Sequence, residues 1–531
     1  MNKGVFFILI VVAQLPFLLL GCDDNADTVE TGVVGDSAGS SGGYAGSNTG
    51  GIANAGTDSD TDADTGTNTG TGAGTSTATS TGTDTGTSTA TSTGTSTGTD
   101  TGTDTGTSTG TSTGTDTGTG TSTNTLLPKH WHESGGFGTS TKGGLGGEVY
   151  RVTTLANSGP GSLRDAVSGS NRLIVFEVGG VIDLEGDRLG IGGNNITLAG
   201  QTAPLPGINV IKADTDISGD DVVVSHMSFR LGDEAGARDT MDIGSNNVVL
   251  DHVAASWSVD ECVSMGGASN VTFFKTMVTE ALSVSVHKEG EHSKGSLIQN
   301  GTNQTSFINT LYAFNALRNP RLQHSAQVAA INGVIYGWYP GADDEGSKRF
   351  HWVIHMHGGA AMSVVGMTAV QGPESQGEYL VSGHKSGTAR AYMKDNLIID
   401  QTGNPLHEYA DNVEVLSEPP LWPDAVEVVP HQESFYETLR TVGPRPGDRD
   451  PIEHRVLKQV ADGTGTGINS PTDVGGYPDY PETNHTLVVP DGEAARQAWL
   501  DELEDAVAVD RNLDLSRYYG IVGTEADDKL R

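Results

Sequence analysis

Short β-branched runs, each led by a polar residue, recur through the middle of the chain. Asn195-Ile196-Thr197-Leu198, Asp221-Val222-Val223-Val224, Asn247-Val248-Val249-Leu250, Asn270-Val271-Thr272-Phe273 and Gln304-Thr305-Ser306-Phe307 share this form. Their starts lie 26, 26, 23 and 34 residues apart. Runs this brief are strands rather than helix faces, and no amphipathic helix pattern fills the intervals. A period of this length suits one coil of a solenoid, in which three short strands complete a turn and each coil buries its apolar side chains against the next. The longest interval predicts an inserted loop. A polar residue at the same corner of every coil predicts a ladder of stacked side-chain amides, so Asn195, Asn247 and Asn270 read as structural. Regular hairpin turns, which a sandwich needs, are not prominent, and the blade signature of a propeller is absent. The predicted fold class is all-β, a right-handed parallel β-helix.

The pattern changes near the C-terminus. GPRPGDRDPIEHRVLKQV (443–460) is charged and proline-punctuated before a helix-like run, and DGEAARQAWLDELEDAV (491–507) predicts a helix. Asp491 is its expected cap, with Ala494, Ala495, Ala498, Trp499 and Leu503 on the covered side. Segments from about residue 440 are expected to pack on the solenoid or cap it.

Composition divides the 531 residues into three parts. Residues 1–22 carry Lys3, an apolar run from Val5 to Leu20 and the ending Leu-Leu-Gly-Cys, the form of a bacterial export signal. The ending is similar to a lipobox, which makes Cys22 the candidate lipidation site. Residues 23–128 are Thr, Gly, Ser, Asp and Asn in TSTGTSTGTDTG-type repeats, with almost nothing to bury. Such a tract does not offset its ordering entropy and is expected to be a disordered tether, letting the head range on the order of 50–60 Å from its anchor. Residues 129–531 form the head. The chain is therefore expected at the cell surface or secreted, touching membrane only through a lipid anchor, and as a monomer. A net charge of −37 argues against nucleic acid as a partner. With Cys22 lipidated, Cys262 has no disulfide partner and reads as a small buried hydrophobe.

Chemistry concentrates between Asp239 and Arg321, where DTMDIGSNNVVLDHVAASWSVDECVSM, VHKEGEHSKG and ALRNPR place charges of both signs in the turns between strands. Acids beside cations on rigid coils suit a site that binds a polyanion through a metal and basic side chains. The head resembles the pectate lyase superfamily of parallel β-helix polysaccharide lyases (the pectin-lyase-like fold). The resemblance rests on GGFGTSTKGGLGGEVYRVTTLANSGPGSLRDAV (135–167), LIVFEVGGVIDL, NNITLAGQTAP, HMSFRLGD, VVLDHVAASWSVDE and RNPR, in that order. It is dense over about residues 133–340 and looser over 443–476.

The resemblance implies calcium-assisted β-elimination of 1,4-linked galacturonan, an acidic polysaccharide. It places Asp239, Asp260 and Glu261 at the calcium, and Arg318 at the position of the Brønsted base, an unusual role for a side chain that is normally protonated. Lys288 and Arg321 are implied to hold uronates, with His287 beside them. Two departures stand out: Ser264 occupies a position where relatives often carry an acid, and Gln323 one where many carry an arginine. Asp251-His252 reads as a hydrogen-bonded buried pair, and Trp257 as packing. The alternatives are a β-helix lyase or hydrolase acting on another acidic polysaccharide, and a non-catalytic carbohydrate-binding surface protein.

Overall fold

A computed structural model of the chain describes residues 129–342, 349–384 and 389–523, with the backbone of short strands between Ala63 and Thr109. The leader with Cys22 and most of the 23–128 tract lie outside the described residues, and the expectations made for them fall there too. The head is a unit separate from the N-terminal tract, the division falling at Thr125.

Three parallel sheets wind into one β-helix. Sheet A has eleven strands, from Glu148–Val152 to Val413–Val415. Sheet B has ten, of which nine parallel strands run from Val178–Asp183 to Leu397–Ile399. Sheet C has nine, from Leu189–Ile191 to His407–Tyr409. The recurring runs of the sequence are consecutive strands of sheet A, with Ile196, Val222, Val248, Val271 and Thr305 in register. Their apolar side chains fill the interior, where like residues stack between coils; Phe273 lies on Phe307 with ring centroids 4.4 Å apart. The polar residue leading each strand takes a left-handed conformation, with φ of 55° at Asn195, 59° at Asp221, 57° at Asn247 and 58° at Asn270. Asn tolerates that corner because its short amide bonds locally. The amides form the expected ladder: Asn195 Nδ2 donates to Asn171 Oδ1 (2.9 Å) and Asn270 Nδ2 to Asn247 Oδ1 (3.0 Å). The long interval is the loop 280–293 between Met277–Thr279 and Lys294–Gln299.

Glycines in the 135–147 segment let it lie flat on sheet A. A Cβ on Gly144 would sit 1.8 Å from the Arg172 carbonyl oxygen, and one on Gly147 2.0 Å from that of Asn171. Beyond a single-turn helix α1 (Leu163–Ala166), three longer helices follow the solenoid: α2 (His431–Thr441), α3 (Pro451–Asp462) and α4 (Glu493–Asp505). The apolar pattern did not predict α2. α2 and α3 pack along sheet B, where Leu439, Leu457 and Val460 meet Met277, Leu311 and Tyr336. Asp450 caps α3, and Arg230 pairs with Asp450 (2.7 Å) and Glu453 (3.1 Å) beneath it. Thr483–Asn484 pairs antiparallel with Val178 and Gly179 and covers the open edge of sheet B.

α4 requires two corrections. Its N-cap is Gly492 rather than Asp491, and Ala494, Ala495 and Ala498 face solvent. The buried face carries Leu500 and Glu504, with Arg496 donating to the carbonyls of Leu145 and Gly147. Trp499 packs beside Leu500 as expected, while the alanines do not, because polar anchors as well as apolar contacts set the buried face. No described helix is long and apolar enough to cross a membrane.

Candidate active site

Sheet C carries the site on its outward face. Register places Asp216, Asp242, Ser264, Leu297, Arg321 and His355 in one column along the coils. Glu261 pairs in register with Lys294 on the next coil. Side chains on such a ladder hold fixed spacing because the strands beneath them do.

Asp239, Asp260 and Glu261 come together, each offering an oxygen within 4.8 Å of the others. Asp239 Oδ1 accepts the backbone N–H of Glu261 at 2.8 Å. Burial pushes the Asp239 carboxyl up to about 6; the Asp260 charge adds to the rise, and hydrogen bonds from Ser264 and Asp242 oppose it. Burial and the neighbouring Asp239 likewise push Asp242 up to about 7. Burial is the main cause of both rises, and the mutual repulsion of neighbouring carboxylates adds to it. Ser264 therefore stands at the acid cluster and contributes a hydroxyl there.

Asp260 behaves differently. Burial works to raise its carboxyl, but the His292 hydrogen bond and the charges of His292, Lys294 and His287 hold it down at about 2. His292 Nε2 lies 2.8 Å from Asp260 Oδ1 and 2.7 Å from Lys294 Nζ. One nitrogen cannot donate to the carboxylate and accept from the ammonium at once, so the two contacts are alternatives rather than simultaneous hydrogen bonds. His287 stacks on His292 at 3.6 Å, with Nε2 3.6 Å from Asp260 Oδ2. Burial and the His292 charge lower its imidazole.

Arg318 is buried with φ of 64°, and its guanidinium pairs with the Glu261 carboxylate. Arg321 reaches His357 Nε2 at 3.1 Å. Gln323 Oε1 meets the same nitrogen at 2.6 Å, and its amide donates to Gln299, so at the position where an arginine was looked for a neutral amide hydrogen-bonds beside Arg321. His355 is fully buried against Trp352, 3.7 Å between centroids. Burial, then the Arg321 charge, pushes His355 down to about 2 and His357 to about 4.

The structure thus gathers Asp239, Asp260, Glu261, His287 and Arg318, and sets Arg321 farther along the same face. It does not bring in Lys288, which is exposed on the 280–293 loop. The lysine at the cluster is Lys294, 1% exposed. Sequence reasoning missed it because the inserted loop hides its register with Glu261. Asp242 was also missed, although its position 26 residues after Asp216, one coil period, was a usable signal. Trp257 is fully buried and donates its indole N–H to Glu280 (3.0 Å), which excludes a sugar-stacking role. Cys262 is buried too, its thiol pushed up to about 12 by burial.

No family model matches the chain. It is similar to curated proteins called probable pectate lyase C: 40% identical over 207 residues to that of Aspergillus terreus, covering 38% of this chain and 46% of the relative. To that of Aspergillus flavus it is 35% identical over 265 residues, covering 49% and 58%. The chain spans about half the length of the curated relatives it matches. Among solved structures it is similar to the cedar-pollen allergen Jun a 1, with 16% identity, a TM-score of 0.43, and coverage of 56% of this chain and 89% of that one. The head thus shares with curated proteins called probable pectate lyase C a stretch of 35–40% identical sequence, and it is itself a parallel β-helix.

Proposed function

We propose that this chain is a secreted, monomeric pectate lyase that cleaves 1,4-linked galacturonan by β-elimination, with calcium at Asp239, Asp260 and Glu261 and a lipid anchor at Cys22. The observation that supports it most is the meeting of those three carboxylates beside buried Arg318 and Lys294. The donor set fits calcium, which takes hard oxygen ligands. Bound there, calcium would neutralise the substrate carboxylate next to C5 and so lower the cost of developing negative charge at that carbon.

The protein's own groups do the rest. Arg321 pairs with a uronate carboxylate along sheet C, while buried Lys294 supports the acids from behind through His292. Arg318 takes the C5 proton; the C–H electrons become the C4–C5 double bond, and the C4–O bond breaks with its electrons on the leaving sugar oxygen. Glu261, which pairs with Arg318, is also one of the residues that would hold the cation, so a cation bound there would loosen that pair.

The test follows unsaturated product by ultraviolet absorbance in polygalacturonate, with calcium or with chelator, at neutral and alkaline pH. Absence of product under every condition sinks the lyase reading. Retardation of the polymer in a gel without cleavage would identify a binding protein, and cleavage only of another acidic polysaccharide would redirect the substrate. Full activity in Arg318→Lys would remove the base assignment alone.

A further inference from the structure

On the opposite side of sheet A from the core, away from the acid cluster on sheet C, four ligand-type side chains meet in the interior of the packing. His226 and His252 occupy successive left-handed corners, φ 57° and 49°, directly after the sheet A strands Val222–Ser225 and Val248–Asp251. Asp251 ends the second strand, and Glu504 arrives from α4. His226, Asp251 and His252 are 0% exposed and Glu504 is 2%. Each offers one ligand atom within 4.8 Å of the others.

Each carboxylate turns one oxygen toward each histidine, close enough for one ion to draw in a single oxygen from each. His226 Nε2 is 3.6 Å from Glu504 Oε2 and 3.9 Å from Asp251 Oδ2, and His252 Nδ1 is 3.6 Å from Glu504 Oε1. Ligands about 2.0–2.2 Å from a tetrahedral metal stand about 3.3–3.6 Å apart. One edge is shorter, the 2.7 Å hydrogen bond between His252 Nδ1 and Asp251 Oδ1, and it opens when an ion replaces the proton.

Hydrogen bonding independently points to a missing cation. His226 Nε2, Asp251 Oδ2 and Glu504 Oε1 have no hydrogen-bond partner although fully enclosed. Leaving such groups unpaired in an interior is costly, the more so for carboxylates. His226 Nδ1 lies 2.6 Å from the Pro444 carbonyl oxygen, so it carries the proton and turns the Nε2 lone pair inward. That is the arrangement by which metal-bound histidines are usually oriented. The rings of His226 and His252 stack at 4.6 Å, and Phe274 meets His252 edge-on, closing the site to water. The remaining charged neighbour, His130, lies 3.3 Å from Glu504 Oε2 but also faces Asp501 and Asp505.

We propose that His226, Asp251, His252 and Glu504 bind a divalent transition metal ion, with zinc as its best-suited representative, that clamps the C-terminal helix to the β-helix. Two imidazole nitrogens with two carboxylate oxygens suit zinc, whereas calcium requires six to eight oxygens. Sequence did not suggest the site because its ligands are split between residues 226–252 and 504, and Asp251-His252 alone reads as a hydrogen-bonded pair.

The full chain is stripped with chelator, equilibrated with zinc alone and gel-filtered, and bound metal is measured by mass spectrometry. Wild type retains one zinc per chain, and zinc raises its thermal midpoint. Glu504→Gln and His226→Asn, each checked by circular dichroism for a folded head, lose the zinc and the shift; cobalt in place of zinc shows tetrahedral visible bands in wild type that both variants lack. Asp260→Asn, which disables the alternative cluster with His287 and His292, keeps zinc. Wild type without zinc overturns the proposal, as does retention by both Glu504→Gln and His226→Asn, or loss in Asp260→Asn.

Discussion

Two lysines six residues apart show how much position outweighs residue type. Lys288 is exposed on a loop, while Lys294 is buried in register with Glu261 and touches His292. Lys294→Ala is expected to lower kcat/KM on polygalacturonate by about tenfold to a hundredfold, the worth of a hydrogen bond to a charged group. Lys288→Ala should leave it within about twofold, since exposed ion pairs contribute little. Equal losses in steady-state kinetics would reverse the assignment. The raised carboxyls of Asp239 and Asp242 make a second prediction. Their folded values, about 6 and about 7, exceed the roughly 3.9 of an unfolded chain, so the native state holds more protons between about pH 4 and 7. Their contribution to stability then falls as pH rises through that window. Urea midpoints without calcium should drop from about pH 5 to 8 on this account, calcium should restore most at about pH 8, and Asp242→Asn should flatten the slope. A calcium effect equal at both pH values would count against these carboxyls as the cause.

Strands and corners obey a simpler logic than the site does. The period of the apolar runs was legible because every coil repeats the same local problem, a buried short strand after a left-handed corner. Asn270 makes that testable. Replacing it with Ala removes its bond to Asn247 and sets a Cβ-bearing residue without a local amide at φ 58°. The cost is expected near 2 kcal/mol, about half from each source, and Asn270→Gly should cost about 1 kcal/mol because the backbone term vanishes. Chemical unfolding of the three proteins separates the two contributions. Helix α4 was legible as a helix but only partly in orientation: its buried face is held by Arg496 and Glu504, whose partners lie some 250 to 350 residues away in sequence. Ser264 and Gln323 were visible as departures, yet only the neighbouring coils show what each touches.

At the scale of the molecule, a chain with net charge −37 is proposed to bind a polyanion. Long-range repulsion opposes the encounter, and Lys294, Arg318, Arg321 and calcium act only at short range. Raising ionic strength from about 0.01 to 0.1 M at fixed free calcium should therefore speed association with polygalacturonate, read by stopped-flow, before higher salt weakens the close contacts. A monotonic fall from the lowest salt upward would mean that attraction dominates from the start. The curved path of the C-terminal segment also belongs to this scale. It runs along sheet B, edges the first coil at Thr483–Asn484 and reaches sheet A through Glu504, so one chain segment ties several coils together.

The amino-acid sequence by itself determined the solenoid, its coil period and the corner amides, each set within one coil by alternation of burial or by residues a few positions apart. The acids and arginine of the candidate site came instead from the resemblance of ordered motifs to a known family. Tertiary structure alone decided which lysine joins the acids, that Asp242 shares their burden of charge, which face of α4 is buried, and that His226 and His252 meet Glu504. Those outcomes depend on register across an inserted loop or on the return of a distant segment, and no local pattern of apolar and polar positions carries that information.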